Sequence, residues 1–326
     1  MVRSVWHRRN SFGWLSGLVL VAVTLVASGV ARAQQTQVQP NQLQVFISAL
    51  DASGTPVTDL KPEEIAMTES GAPGKVVTLE RYNLPIKLTI GVDNGMDSTT
   101  ALATVRTALT SMVEALPPDV EVTLVTMSPQ PATFVKSTAD RAQITRGISR
   151  FGVESDGVPR FSDALVEYAE RLEKDFKDKK LTYAPMLVMV STSRPDQSQA
   201  EPRSIEKALK TLQTRGARVS LAMYTTKPTD ADAVGDLQNG RQTLIAMPII
   251  KASGGKFETM VAFNQLSTLL PQWGKEIAAS HTKQTNQYRA VIDRPGGATG
   301  PLNNLGLRLT RPGLNGAVSG DGRFVQ

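Results

Sequence analysis

Hydrophobic and polar residues along the chain follow two periods, and together these predict a mixed α/β protein. Compact apolar runs are typical of strands in a parallel sheet that is buried on both faces. These runs lie at 86–92, 120–127, 186–190 and 218–224. Between them, apolar residues recur every three or four positions, as on one face of a helix. The helical segments lie at 98–116, 140–150, 162–176, 205–212, 244–252 and 263–283. This alternation predicts a doubly wound, mostly parallel sheet with helices on both faces.

The two flanks of this region have a different, strand-like pattern. Residues 43–50 alternate apolar and polar positions, and short strands are predicted at 65–68 and 76–82. Two more strands are predicted near the C-terminus, at 288–292 and 305–309. We therefore expect the flanks to pack together as a small β layer beside the parallel sheet. The predicted divisions are a flexible tail at 34–42, a β-rich unit at 43–84, the sheet-and-helix domain at 85–283 and a C-terminal β tail at 284–326.

The first 33 residues have the pattern of an export signal. Basic residues at the start are followed by an apolar run of about 16 residues, 15–30, and then by Ala31-Arg32-Ala33. Small residues after such a run are typical of a secretory signal peptide, here with cleavage after Ala33. A membrane-spanning helix needs about 20 apolar residues, so an uncleaved anchor is the less favoured alternative. The sequence predicts a secreted or periplasmic protein without a membrane span after cleavage.

Charge and composition narrow the classes of function. The chain has 36 Lys and Arg residues against 30 Asp and Glu, but the leader carries four of the arginines and no acid. The remaining chain is nearly neutral, so binding to nucleic acid is not expected. Cysteine is absent, and His281 is the one histidine outside the leader. A structural zinc site and a cysteine nucleophile are therefore not expected, and no nucleophile partner for His281 is evident. These observations favour a protein that is not an enzyme.

Polar loops that follow two buried strands are the candidate binding site. In a doubly wound sheet, ligands bind beyond the carboxyl ends of strands, where the strand order reverses. The candidate residues are Asp93, Asn94, Gly95, Asp97 and Ser98 after the first strand, and Ser191, Thr192, Ser193 and Asp196 after the central strand. Asp93 and Asp97 are four residues apart, so both carboxylates could hold Mg²⁺ or Ca²⁺ in one pocket. The alternative is that Asp93 forms a turn or caps a helix.

The order of elements and the loop at 93–98 resemble a von Willebrand factor type A domain over about residues 85–283. The preceding stretch LQVFISALDASGTPVTDLKPEEIAMTESG is similar to the leader of a bacterial, acidobacterial group of type A-related proteins. The resemblance implies a doubly wound sheet and binding of a protein partner. In that family an Asp-x-Ser-x-Ser loop, a threonine and a second aspartate form a metal-ion-dependent adhesion site, in which a divalent cation binds an acidic residue of the partner.

The residues of that metal site are only partly present in this chain. Asp93 matches the first aspartate, while Gly95 and Asp97 stand where the two serines would be. Pro159 stands at the position of the threonine and Thr192 at that of the second aspartate. The resemblance therefore implies a degenerate, metal-free site. Together with the export signal, it predicts an exported, non-catalytic adhesion or scaffold protein. Cation-dependent binding through Asp93 and Asp97 is the alternative, and a metal-assisted hydrolase is the least favoured one.

Overall fold

Two six-stranded sheets organise the residues that the structure, a computed structural model, describes. These residues are 38–95, 99–154, 157–176, 182–225, 240–300 and 304–324. The predicted signal peptide at 1–33 lies outside them, as do Asp97 and Ser98 of the candidate site.

Within these ranges the chain forms twelve strands and six α-helices. The strands are β1 (Gln42–Leu50), β2 (Ile65–Glu69), β3 (Ala72–Tyr82), β4 (Ile86–Val92), β5 (Glu121–Thr126), β6 (Ala132–Thr138), β7 (Ala184–Thr192), β8 (Arg218–Tyr224), β9 (Phe257–Met260), β10 (Gln287–Asp293), β11 (Leu305–Leu309) and β12 (Asn315–Ser319). The α-helices are α1 (Thr99–Glu114), α2 (Arg141–Arg150), α3 (Phe161–Phe176), α4 (Pro202–Thr214), α5 (Arg241–Ser253) and α6 (Leu266–Thr285).

The first sheet is parallel except at one edge, and its strand order is β6-β5-β4-β7-β8-β9. Strand β4 pairs in parallel with β5 on one side and with β7 on the other, and β6 runs antiparallel to β5. From β4 the chain moves outward to β5 and β6, and then crosses back to β7 and continues outward to β8 and β9. The predicted mixed α/β fold with a parallel-rich sheet is confirmed.

Helices cover both faces of this sheet because successive side chains of a strand point to opposite sides. On one face Ile86, Leu88 and Ile90 of β4 are buried with apolar residues of α1, α2 and α6. On the other face Leu187 and Met189 of β7 are buried with residues of α3, α4 and α5. The two resulting cores hold the sheet as a rigid platform whose loops project beyond the strand ends.

The second sheet is antiparallel and has the order β11-β2-β3-β10-β1-β12. Its strands come from both flanks of the chain, because β10 pairs with β1 on one side and with β3 on the other. Val45, Ile47, Met67 and Tyr288 belong to its apolar core.

Strand β12 was not predicted from the sequence. Its five residues, Asn-Gly-Ala-Val-Ser, are exposed or half-buried and carry no run of large apolar side chains. The strand forms through backbone pairing with β1. Among the described residues, no helix combines the length and the apolar character needed to cross a membrane.

Candidate functional site

The reversal of strand order falls between the carboxyl ends of β4 and β7. Asp93 directly follows β4, and its backbone N–H donates to the carbonyl of Val190 in β7, 2.8 Å away. Ser191 and Thr192, which the sequence placed in the loop, belong to the end of β7, because they pair with Met223 and Tyr224 of β8. The loop after β7 therefore begins at Ser193, and we correct the predicted boundary accordingly.

The carboxylate of Asp93 is buried, its hydrogen bonds come from uncharged donors, and the positive charge of Arg194 lies close enough to favour its ionised form. Its Oδ1 accepts from the backbone N–H of Gly95 at 3.0 Å, which is the bond of an aspartate-initiated turn. Its Oδ2 accepts from the Thr192 hydroxyl at 2.7 Å and from the Thr192 N–H at 3.3 Å. Burial raises the pKa of Asp93, while the hydrogen bonds from Thr192 and Gly95 oppose that rise. Both carboxylate oxygens thus have partners within the chain.

The side chain of Asn94 joins three loops at this edge of the sheet. Its Oδ1 accepts from the N–H of Ser128 at 2.9 Å, and its Nδ2 donates to the Ser128 carbonyl at 3.2 Å. The same Nδ2 lies 3.4 Å from the carbonyl of Gly152. The Ser128 hydroxyl continues the network by donating to the Val158 carbonyl at 2.6 Å. The loops after β4, after β5 and before α3 are therefore held together by buried polar contacts.

Two glycines let these loops approach more closely than any other residue would allow. A Cβ placed on Gly95 would lie 2.7 Å from the carbonyl carbon and oxygen of Gly157. A Cβ on Gly157 would lie 2.9 Å from the Cα of Gly95 and 2.7 Å from the carbonyl oxygen of Glu154. Position 95 is where the resemblance would place a serine. In this chain that position has no room for a side chain.

Asp196, another predicted binding residue, braces the loop after β7 against α3. Its Oδ1 accepts from the N–H of Phe161 at 3.1 Å and from the Ser198 hydroxyl at 2.6 Å. Its Oδ2 accepts from the Ser162 hydroxyl at the start of the helix. A carboxylate at this end of a helix satisfies free N–H groups and interacts favourably with the helix dipole. The Asp196 side chain is fully buried, so it positions the loop and has no surface of its own.

Residues outside the predicted set complete the network. Arg194 donates to the Gly95 carbonyl at 2.5 Å, and Gln242 at the start of α5 donates to the Arg194 carbonyl at 2.7 Å. Ser128 also belongs to this network, through its hydrogen bonds with Asn94 and Val158. It follows the buried strand β5 as Asp93 follows β4, so the rule that selected Asp93 would also have selected Ser128. Arg194 and Gln242 give no comparable signal in the sequence, because nothing in the pattern places them near Gly95.

The described residues at this edge do not fit a divalent cation. Such an ion needs several oxygen ligands that are free to turn toward it. Both oxygens of Asp93 accept hydrogen bonds, and the Thr192 hydroxyl donates to one of them. Gly95 has no side chain, and Pro159 has no side-chain oxygen. Over the described ranges, no three His, Asp or Glu side chains come together in a way that could hold a metal ion.

The two nitrogens of the buried His281 ring are also engaged. Its Nδ1 accepts from the backbone N–H of Ile86 at 3.2 Å, and its Nε2 lies 2.9 Å from Oδ2 of Asp119. The ring therefore links α6 to the beginning of β4, at the opposite end of that strand from Asp93.

The described surface above the network includes several exposed side chains that are apolar or polar without charge. Pro129, Gln130, Pro195 and Gln197 are exposed in the loops that follow β5 and β7. Two larger apolar residues are exposed at the same end of the sheet. Leu244 in the first turns of α5 is 60% exposed, and Val261, directly after β9, is 56% exposed. We call these six residues the carboxyl-edge rim.

No protein-family model matches the sequence, and no curated protein matches it. Several solved structures resemble it in fold. A von Willebrand factor type A protein from Catenulispora acidiphila is 9% identical, with 80% of this chain and 67% of that chain covered and a TM-score of 0.47. The protein BatB from Bacteroides thetaiotaomicron is 12% identical, with 61% of this chain and 100% of that chain covered and a TM-score of 0.42. The SpRpn10 VWA domain is 12% identical, with 58% and 95% covered and a TM-score of 0.39. These are likenesses of fold, at identities too low to transfer a site or an activity.

Proposed function

We propose that the chain is an exported, non-catalytic adhesion or scaffold module that binds a protein partner through the carboxyl-edge rim. The observation that carries this proposal is the hydrogen-bonded network beneath the rim. Asp93, Asn94 and Asp196 fix the loops against one another through buried bonds. A surface that is already fixed loses little conformational entropy on binding, so more of its contact energy appears as affinity.

The composition of the rim supports a protein partner. Rigid prolines and apolar side chains supply contact area, and glutamines supply hydrogen bonds that tolerate different partners. Exposed charges among the described residues near the rim include Arg241, with its side chain 46% accessible beside the buried Asp196, and Glu154. A rim of this kind suits a polar and apolar protein surface better than the phosphate backbone of a nucleic acid.

We propose further that binding needs no divalent cation, so that the adhesion site of the resembled family is degenerate in this chain. The donors around Asp93 support this, because they already supply what a cation would supply to a buried carboxylate. The alternative is a residual Mg²⁺ or Ca²⁺ site at Asp93 and Asp97. Melting curves of the wild type and Asp93→Asn, each with either ion, separate the two proposals.

We also propose that the protein acts outside the cytoplasm, because its first 33 residues have the pattern of an export signal. The antiparallel sheet then serves as a second β layer that carries the type A-like unit. N-terminal sequencing of the mature protein from the envelope fraction tests the export signal. The expected first residue is Gln34, and a chain that still begins at Met1 would contradict cleavage.

Contact-dependent crosslinking tests the binding surface itself. A photoreactive residue at Gln197 is expected to capture a protein from the producing cell's envelope fraction, and Leu244→Asp is expected to abolish the capture. The matched control is Val77→Asp, because Val77 is an exposed apolar residue of the antiparallel sheet, 45% accessible. Equal capture by wild type and Leu244→Asp, or equal loss in both variants, would contradict the proposal.

A further inference from the structure

A cavity of about 490 Å³ opens on one face of the parallel sheet, away from the carboxyl-edge rim. Its floor is formed by Lys87, Thr89 and Thr123 of β4 and β5, on the face opposite to the core that α1 covers. Residues of β6 and α3 form its walls. The volume is in the usual range for small-molecule sites. A polar floor on central strands is unusual in a parallel sheet, where both faces are normally apolar.

The hydroxyl of Tyr168 in α3 makes no hydrogen bond to another described residue. The side chain lines the cavity and is only 6% exposed. Burial raises the pKa of Tyr168, so the hydroxyl stays protonated and remains a donor at neutral pH. The Tyr168 hydroxyl oxygen is not sealed from solvent, so it can donate to water or to a molecule bound in the cavity.

Arg171 lies one helical turn further along α3, and it also has hydrogen-bond donors without an acceptor among the described residues. Its Nη1 donates to the Thr133 hydroxyl at 2.7 Å, while its buried Nε and Nη2 make no hydrogen bond within the described chain. The carboxylate of Glu167 is 3.7 Å from Nε, beyond hydrogen-bond distance. Two donors of one guanidinium therefore lack acceptors beside the same cavity. A planar pair of N–H groups is the geometry that binds carboxylate and phosphate oxygens.

The charge of the lining favours an anion. Four cationic side chains line the cavity, Lys87, Lys136, Arg171 and Lys174, against one carboxylate, Asp175. Asp175 accepts from the Tyr183 hydroxyl at 2.6 Å, Lys87 pairs with Glu121 at 2.9 Å, and Arg171 forms a longer ion pair with Glu167, so these groups are engaged within the chain. Lys136 and Lys174 are exposed. They supply positive potential at the cavity without being fixed by a carboxylate partner among the described residues.

We propose that this cavity binds an oxyanion group, a phosphate, sulfate or carboxylate, carried by a small hydroxyl-bearing molecule. The Arg171 guanidinium, whose side chain is 30% exposed, turns toward its oxygens and donates to them together with the Tyr168 hydroxyl, and Lys136 and Lys174 stabilise its charge. The hydroxyls of Thr89 and Thr123 face the polar body of the ligand. The site shares no residue with the carboxyl-edge rim. The proposal is therefore independent of the proposed protein-binding function, and the failure of one would leave the other intact.

Calorimetric titration of the mature chain tests the proposal with defined probes: sodium phosphate, sodium sulfate, gluconate, glucose 6-phosphate and uncharged glucose. We expect saturable binding of at least one oxyanion and none of glucose. A sugar phosphate that binds more tightly than inorganic phosphate assigns part of the affinity to the hydroxyl-bearing body. Equal affinities confine recognition to the anion. The absence of saturable binding by every oxyanion at millimolar concentration would overturn the proposal.

Two substitutions and a matched control locate the binding. Tyr168→Phe removes a hydroxyl that has no partner in the described chain, so we expect unchanged folding and about tenfold weaker binding. Arg171→Met is expected to weaken binding more strongly. Arg215→Met is the control, because it removes the same charge but a guanidinium that is already paired with Glu173 at 2.8 Å. Wild-type affinity in Tyr168→Phe and Arg171→Met, or an equal loss in Arg215→Met, would contradict the assignment. If Arg171→Met does not fold, Tyr168→Phe alone decides.

Discussion

The two polar regions of the parallel-sheet unit differ in how completely their hydrogen bonds are satisfied. At the carboxyl edge, the Asp93 carboxylate and the Asn94 amide have partners within the chain. In the cavity beside α3, two buried nitrogens of Arg171 have no hydrogen-bond partner among the described residues, and the Tyr168 hydroxyl, which solvent reaches, makes no hydrogen bond within them. The first pattern indicates groups that hold a structure. The second pattern indicates donors that are available to bind a ligand.

This difference changes how the polar residues of the edge should be interpreted. From the sequence, Asp93 and Asp196 are candidates for binding or metal-ligating groups. In the structure their buried carboxylates accept hydrogen bonds from backbone N–H groups and hold the loops in place. The proposed contact surface is the exposed rim above them. The two regions are therefore expected to respond to mutation in opposite ways: substitutions at the edge lower stability, whereas substitutions in the cavity lower affinity.

The largest loss of stability is expected for Asn94→Ala. The substitution leaves the buried N–H and carbonyl of Ser128 without partners and opens a small void, which lowers the free energy of unfolding by about 3 kcal/mol. Urea denaturation of the mature chain measures the change. Gln130→Ala, an exposed residue in the loop after β5, is the control and is expected to stay within about 0.5 kcal/mol of wild type. A loss below about 1 kcal/mol for Asn94→Ala would mean that its amide does not hold the loops.

A smaller loss is expected for Gly95→Ser, which restores the serine of the resembled family. The new Cβ would lie 2.7 Å from the backbone of Gly157, so the loops must separate, at a cost of about 2 kcal/mol. Gly152→Ser is the matched control, since a Cβ on Gly152 meets no atom within 4 Å. Denaturation curves that are equal for the two serine variants would show that the close approach of the glycines is not needed.

Thr192→Val is expected to destabilise the chain in a way that depends on pH. The pKa of Asp93 is raised above 3.8 in the folded chain, so its ionisation opposes folding, and stability is lost as the pH rises through the folded pKa. Removing the Thr192 hydroxyl leaves the ionised carboxylate less well solvated and raises that pKa further. We expect a difference from wild type of about 1.5–3 kcal/mol where Asp93 is ionised, and a smaller one near pH 4. A difference that is constant between about pH 4 and 8 would contradict this linkage.

The smallest effect on stability is expected in the cavity. Tyr168→Phe removes no hydrogen bond within the described chain and keeps the buried ring, so its free energy of unfolding should lie within about 0.5 kcal/mol of wild type. The same denaturation experiment measures it. A loss above about 1.5 kcal/mol would show that the hydroxyl serves the fold, and the contrast between the two regions would then fail.

The parallel sheet could be predicted from the sequence because its strands and helices have clear hydrophobic periods. Strand β4 was predicted with its observed bounds, Ile86–Val92, since apolar residues begin and end there. Ser191 and Thr192 were assigned to a loop because they are polar, but they continue β7 by pairing with β8. Strand β12 was missed for the same reason: backbone pairing defines it, and side-chain pattern does not.

The candidate site was predictable only in its location. The rule that ligands bind at the switch point selected Asp93 and Thr192, and the structure brings these two side chains into contact. What they do there depends on tertiary geometry, because Asp93 meets neutral donors from a strand that is about a hundred residues away in sequence. The bond from Arg194 to Gly95 and the cavity at Tyr168 and Arg171 likewise arise from packing between distant elements. No local pattern in the sequence indicates them.

The central claim is that chain donors, and not a cation, satisfy the Asp93 carboxylate. It is tested most directly by the melting temperature of the mature protein in EDTA and in millimolar Mg²⁺ or Ca²⁺. An ion that binds the folded state alone raises the melting temperature by several degrees at concentrations well above its Kd. We predict that the three melting temperatures agree within about 1 °C. An ion-dependent rise in the wild type that is absent in Asp93→Asn would contradict the account.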